Sequence, residues 1–105
     1  MNGDVTINLG GREAVLKCTL GAAMKVDEQL GGFVEAMRAL TTFRLAAFIC
    51  IVAAGLDKPQ QDVREAVFRE GMTNLIGPLT TYLELLGNGG RKPEQVKEAA
   101  KTGEG

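Results

Sequence analysis

Side chains that commonly perform chemistry are scarce in this 105-residue sequence. The chain has no histidine, which is the usual general base near neutral pH and the commonest metal ligand. Its two cysteines, Cys18 and Cys50, lie far apart and in no metal-binding or redox spacing. Because each has apolar neighbours, we expect two buried thiols in a reducing compartment rather than a disulfide or a reactive nucleophile.

Charged side chains at helical spacing form the nearest alternative to a catalytic cluster. Glu65 with Arg69 and Glu94 with Glu98 are both i,i+4 pairs within polar stretches. Such pairs face each other on the solvated surface of a helix, and this role is far commoner than a catalytic dyad. No group of carboxylates has the spacing of a metal site.

The sequence contains three glycine clusters that could resemble phosphate-binding loops. Gly10-Gly11, Gly31-Gly32 and the run 87–90 match neither GxxxxGK[ST] nor GxGxxG after a strand. Turns and helix ends explain all three clusters. We therefore predict that the protein is not an enzyme and holds no cofactor or metal.

Charge is balanced, with 12 basic and 13 acidic residues distributed along the whole chain. A protein that binds nucleic acid needs a basic surface to neutralise phosphates, and the sequence contains no such stripe. A helix-turn-helix can be drawn through 59–70, Gly71 and the following helix. Its recognition helix would carry Glu84 and no Lys or Arg, so we predict that nucleic acid is not a partner.

The one long apolar run covers residues 45–56 and is bounded by Arg44 and Asp57. It is shorter than the roughly 20 residues that a membrane span needs. The sequence start also lacks the basic and then apolar profile of a signal peptide. We interpret the run as a buried central helix, and we expect a protein of the bacterial cytoplasm that does not bind membranes.

Residues 5–19 show the alternation of a β-hairpin. Val5, Ile7 and Leu9 alternate with polar residues before Gly10-Gly11, and a second alternating stretch follows. Glycine reaches the positive φ angles of the tight turns that join two such strands, so Gly10 and Gly11 are the predicted structural turn. An isolated hairpin is marginally stable in water, so it must pack on helices or pair with another copy.

Helical periodicity replaces the alternation after Leu20. Thr41 or Thr42 is the predicted N-cap of the third helix, and Pro59 suits the first turn of the fourth. At Gly77-Pro78 the fifth helix is expected to start or to kink. The predicted helices cover about 21–30, 33–40, 42–56, 59–70 and 73–87.

The predicted fold class is α+β, with an N-terminal two-stranded antiparallel hairpin followed by a bundle of four to five helices. Residues 1–87 would form one domain. Residues 88–105 contain few bulky apolar side chains, so we predict a flexible C-terminal tail, with a transient helix over 93–101.

Several segments, in this order, resemble the gene-transfer-agent type of phage tail protein family. The opening Gly-Asp-Val at 3–5 and the Gly10-Gly11 hairpin are similar to that family's start. The Leu-Lys-Cys-Thr-Leu-Gly-Ala segment at 16–22 resembles its entry into the helices. Residues 51–56 and 62–67 look like parts of its later helices. The resemblance covers about residues 3–87.

This family carries two labels, tail tube protein and tail assembly chaperone. A tube subunit needs a larger sheet than one hairpin supplies, so we favour the chaperone. The resemblance implies partners, the tape-measure protein and tail tube subunits, which a chaperone binds during assembly and leaves before the particle is complete. Two alternatives stay open: a structural tail tube or minor tail protein, and a small helical regulatory protein.

The partner-binding surface is predicted from apolar residues that fit the inward stripes least well. Helix-in-groove binding needs exposed apolar anchors, although for any single candidate a place in the core is the commoner role. A second hypothesis is pairing of a hairpin edge with another copy, which would give a homo-oligomer. The candidate anchors are Met37, Phe43, Phe48, Phe68, Met72 and Tyr82.

Overall fold

A computed structural model describes residues 4–90 of the chain. Two antiparallel strands come first and five helices follow, which confirms the predicted α+β class. The elements are β1 (Val5–Leu9), β2 (Arg12–Leu16), α1 (Leu20–Leu30), α2 (Phe33–Thr41), α3 (Leu45–Leu56), α4 (Gln60–Glu70) and α5 (Met72–Gly87).

The hairpin turns at Gly10 and Gly11, whose φ angles are +58° and +84°. Both angles are positive, as a tight hairpin turn requires, so the predicted turn is confirmed. The strands pair from Leu9 opposite Arg12 to Val5 opposite Leu16. On the face turned toward the helices, Ile7 and Leu16 are buried in the core.

The second strand is shorter than the predicted stretch to Thr19. It ends at Leu16 because the N–H of Lys17 donates to the Gly55 carbonyl, at 3.0 Å, at the end of α3. Thr19 then caps α1, since its Oγ1 accepts from the N–H of Ala22 at 3.0 Å. A side-chain cap, not a strand, therefore accounts for this threonine.

Helix α3 is the central element, as predicted, and eight of its twelve residues are buried. Its predicted threonine cap is wrong. Thr41 is the last residue of α2 and Thr42 follows it, and both hydroxyls donate to the Arg38 carbonyl. The two threonines thus satisfy a carbonyl at the end of one helix instead of N–H groups at the start of the next. Helix α3 begins at Leu45, after Arg44.

The prolines lie slightly differently from their predicted places. Pro59 has φ −61° and occupies the position just before α4, one residue earlier than expected. Helix α5 begins at Met72, one residue before the predicted 73, and continues through Pro78, so the alternative of a start at Pro78 is wrong. Proline removes one hydrogen-bond donor inside the helix, and packing of α5 against the core compensates for that loss.

Four helices end in the same way, with a left-handed residue followed by an N–H that bonds back to the last turn. Gly90 provides this bond for α5, at 2.7 Å from the Leu85 carbonyl. Residues 88–90, predicted as the start of the tail, thus form the turn that closes α5; the rest of that predicted tail lies outside the described residues. The four left-handed residues are Gly31, Phe43, Asp57 and Gly89.

Gly55 joins the hairpin to the helices. A methyl group at this position would lie 2.9 Å from Cβ of Leu16 and 3.0 Å from the hydroxyl of Tyr82. Real Cβ atoms essentially never come that close, so the contact between α3 and β2 depends on the missing side chain. Tyr82 adds a hydrogen bond from its hydroxyl to the Lys17 carbonyl at 2.6 Å.

Candidate partner-binding groove

Two of the six candidate anchors are buried in the core. Phe48 and Tyr82 both have 0% of their surface exposed, so their assignment as partner-binding residues is wrong. Phe48 lies on α3, which is covered on nearly every side by the other elements. Tyr82 lies beneath the hairpin, where its hydroxyl bonds to the backbone of Lys17.

The other four candidates lie apart from one another. Phe43 is 43% exposed in the turn between α2 and α3, and its ring centroid lies 6.0 Å from that of Phe48. Phe68 is 68% exposed on α4. Met72 is partly buried against the core at the start of α5. Met37, also partly buried, lines an apolar groove.

This groove, which we call the α2–α5 groove, lies between α2 and the C-terminal part of α5. It encloses about 430 Å³, and most of its lining is apolar. Val34 is 70% exposed at its side, whereas Leu83 is 1% exposed. The residues that line the groove are Phe33, Val34, Met37, Leu83, Glu84, Gly87 and Asn88.

The sequence of α2 explains why apolar side chains lie outside the core. The helix has nine residues, and its small or branched residues Ala36, Ala39 and Leu40 are the buried ones. Residues three or four apart share a helix face, so Phe33 and Met37 form a second apolar row beside the buried one. Val34 lies farther round the helix and is exposed.

A glycine keeps the groove open at its α5 side. A methyl group on Gly87 would lie 3.8 Å from Cδ2 of Phe33, which is ordinary van der Waals contact. Any larger side chain at position 87 would therefore occupy the groove. Phe33 itself follows Gly31 and Gly32, whose positive φ angles turn the chain sharply from α1 into α2.

The charge of the groove is negative. Glu84 is exposed and is the one ionisable residue in the lining, since the remaining side chains are apolar, glycine or asparagine. An apolar surface with one carboxylate at its edge complements an apolar helix that carries a lysine or arginine nearby. The groove thus fits an amphipathic helix better than an acidic peptide.

Phe33 and Val34 were not predicted as partner-binding residues. Neither is among the six candidate anchors, yet Phe33 is partly buried and Val34 is exposed. The width of the apolar face of α2 is the sequence feature that could have indicated apolar residues outside the core. Six of the nine residues of α2 are apolar, which is more than one buried stripe needs.

The two thiols have environments that disfavour ionisation. Cys50 is buried, as predicted, and its Sγ donates to Oε1 of Gln29 at 3.2 Å, whereas Cys18 is only partly buried. Burial raises the pKa of Cys50, and burial together with the charge of Asp4 raises the pKa of Cys18. Both thiols are therefore protonated at neutral pH, whereas a nucleophilic cysteine needs a lowered pKa.

Within residues 4–90, no three side chains of His, Cys, Asp or Glu come together in a way that could hold a metal ion. No helix in that part of the chain is both long enough and apolar enough to cross a membrane. Comparison of the chain with protein-family models, curated proteins and solved structures gives no match. The family resemblance therefore rests on the sequence segments described above.

Proposed function

We propose that this protein is a tail assembly chaperone of a phage or gene-transfer agent. Its α2–α5 groove would hold an apolar helix of the tape-measure protein until tail tube subunits replace it. The observation that carries the proposal is the groove itself, in which Phe33, Val34 and Met37 form an apolar wall outside the core. The resemblance of residues 3–87 supplies the tail-assembly context.

The size of the groove suits one helix of a partner. Helix α2 has nine residues and is therefore about 13 Å long, or about two and a half turns. A helix lying along it would place side chains at i, i+3 or i+4, and i+7 against the wall. That is the spacing with which an amphipathic helix presents its apolar face.

The small sheet favours a chaperone over a tube subunit. A tube wall is a continuous β-structure, and the part of the chain described here contributes two strands. Five helices make up the rest of this part. A helical domain with an open groove suits transient binding of a helix better than it suits a β-walled ring.

A substitution in the groove tests the proposal in co-expression with the tape-measure protein of the same phage or agent. Val34→Lys adds a cation and removes an apolar contact at a position that is 70% exposed. Phe68→Lys is the matched control: the sequence suggested Phe68 as an anchor, but it lies outside the groove, and the change is of the same kind at a site that is 68% exposed on α4. Both variants should keep the free energy of unfolding within about 0.5 kcal/mol of wild type.

We expect the wild-type chain and Phe68→Lys to raise the soluble fraction of the tape-measure protein equally. Val34→Lys should lose most of that effect, since it removes an apolar contact and puts a charged side chain into an apolar interface. Equal activity of the two variants would contradict binding in the groove. If the wild-type chain gave no rise in solubility, the chaperone proposal itself would fail.

A further inference from the structure

The fold closes one edge of the hairpin. The N–H of Lys17, just after β2, donates to the Gly55 carbonyl at 3.0 Å. The carbonyl of the same residue accepts from the hydroxyl of Tyr82 at 2.6 Å. Both backbone groups point away from β1, so α3 and α5 occupy the outer edge of the hairpin at this end of β2.

The opposite edge, along β1, carries backbone groups with no hydrogen bond to other elements of residues 4–90, although α4 and α5 pack against this strand. Leu9 and Arg12 flank the two-residue turn and form a hydrogen-bonded pair, after which bonded and non-bonded pairs alternate. The N–H and C=O of Thr6 and Asn8 therefore point away from β2. Both residues are exposed, and neither takes part in the backbone hydrogen bonds found outside the helices and the hairpin of residues 4–90.

The sequence of β1 lacks the features that keep strand edges apart. Exposed edges of monomeric proteins are commonly protected by lysine, proline or a bulge. The strand Val-Thr-Ile-Asn-Leu has no charge and no proline, and its register with β2 is regular over all five pairs. By contrast, β2 carries Arg12 and Glu13.

We infer that β1 pairs with β1 of a second copy of this chain, antiparallel and centred on Ile7. The pattern of the strand is symmetric about that residue, so pairing places polar opposite polar and apolar opposite apolar. Thr6 would exchange both backbone hydrogen bonds with Asn8 of the other copy. Val5, partly buried in one chain, would lie opposite Leu9, also partly buried.

A second copy is the occupant that this symmetry specifies. A two-fold axis through Ile7 satisfies both copies with the same contacts and opposes no like charges. The product would be a four-stranded sheet in the order β2-β1-β1-β2. The inference uses none of the groove residues, so it stands or fails separately from the proposed function.

Paired charge variants test this register. Thr6→Lys with Asn8→Lys places lysines opposite lysines, and Thr6→Glu with Asn8→Glu does the same with carboxylates. Wild type should be a dimer in sedimentation equilibrium, and each double variant should dissociate at least about tenfold more readily. A 1:1 mixture of the two variants should restore a dimer that contains one of each, because lysine then lies opposite glutamate.

Val15→Lys is the control, since it adds a lysine to the same solvent face of the hairpin but on β2. This variant should dimerise like wild type, and all variants should have similar far-UV circular dichroism. If the wild-type chain were monomeric at about 200 µM, the inference would be overturned. The β1 edge would then be available to pair with a strand of another protein. Dissociation caused by Val15→Lys alone, or no heterodimer in the mixture, would also overturn the inference.

Discussion

At the scale of single residues, the Tyr82 hydroxyl joins two parts of the chain that are far apart in sequence. It donates to the carbonyl of Lys17, 65 positions away, and so fixes α5 beneath the start of α1 and the end of the hairpin. Removing the hydroxyl would leave a part-buried carbonyl without this donor. Tyr82→Phe should therefore lower the free energy of unfolding by about 1 kcal/mol, measured by urea denaturation.

The same residue should make stability depend on alkaline pH. Burial, with smaller contributions from Cys18 and Asp4, raises the pKa of Tyr82 in the folded protein above its ordinary value of about 10. The folded state therefore holds this proton more tightly than the unfolded state does. The contribution of this proton to the free energy of unfolding is fully present below pH about 10, and it is lost as the pH rises above that value.

Cys18 and Cys50 contribute with the same sign, because burial raises their pKa values too. The loss of stability that the thiols cause begins near pH 8.5, roughly the ordinary pKa of a thiol. Both thiols are still present in Tyr82→Phe, so this part of the loss is unchanged in the variant. The variant should thus lose less stability than wild type between pH 10 and the upper end of the titration. Identical pH profiles for the two proteins would contradict a raised pKa at Tyr82.

At the scale of elements, Gly55 determines how closely α3 approaches β2. Gly55→Ala should destabilise the protein by about 1–3 kcal/mol, because the new methyl group meets Leu16 at 2.9 Å. Gly21→Ala is the matched control, since Gly21 is also a helical glycine and an added methyl group would meet nothing closer than Oγ1 of Thr19 at 3.9 Å, which is ordinary van der Waals contact. It should stabilise by up to about 1 kcal/mol through helix propensity. Equal thermal shifts for both variants would contradict the close contact.

The elements that sequence predicts well are those set by local rules. The hairpin turn depends on two adjacent glycines with positive φ, and the apolar run of α3 requires burial whatever its neighbours are. The threonine cap failed because Thr41 and Thr42 suit the end of one helix as well as the start of the next. Pro78 was ambiguous because tertiary packing can hold a helix through a proline.

The groove was harder to predict, since it depends on where α5 lies relative to α2. Met37 was predicted as a candidate anchor, but its neighbours Phe33 and Val34 were not. Tyr82 and Phe48 looked like poor core residues and are fully buried. Whether an apolar residue beside a stripe is buried depends on the neighbouring helix, and a single periodicity does not contain that information.

At the scale of the whole molecule, the chaperone and the tube subunit differ in their fate. A tube subunit stays in the particle in many copies, whereas a chaperone leaves before assembly is complete. We expect mass spectrometry of purified particles to find tube and tape-measure proteins in abundance and this chain at trace level. Tens to hundreds of copies per particle would contradict the chaperone proposal and support a structural role.

We propose that the α2–α5 groove holds a helix of the tape-measure protein. Photo-crosslinking from position 34 in cells that are assembling tails tests it most directly, with the same photoreactive residue at position 68 as the control. We expect a covalent adduct with the tape-measure protein from position 34 and little or none from position 68. No adduct from position 34, or equal adducts from both positions, would contradict it.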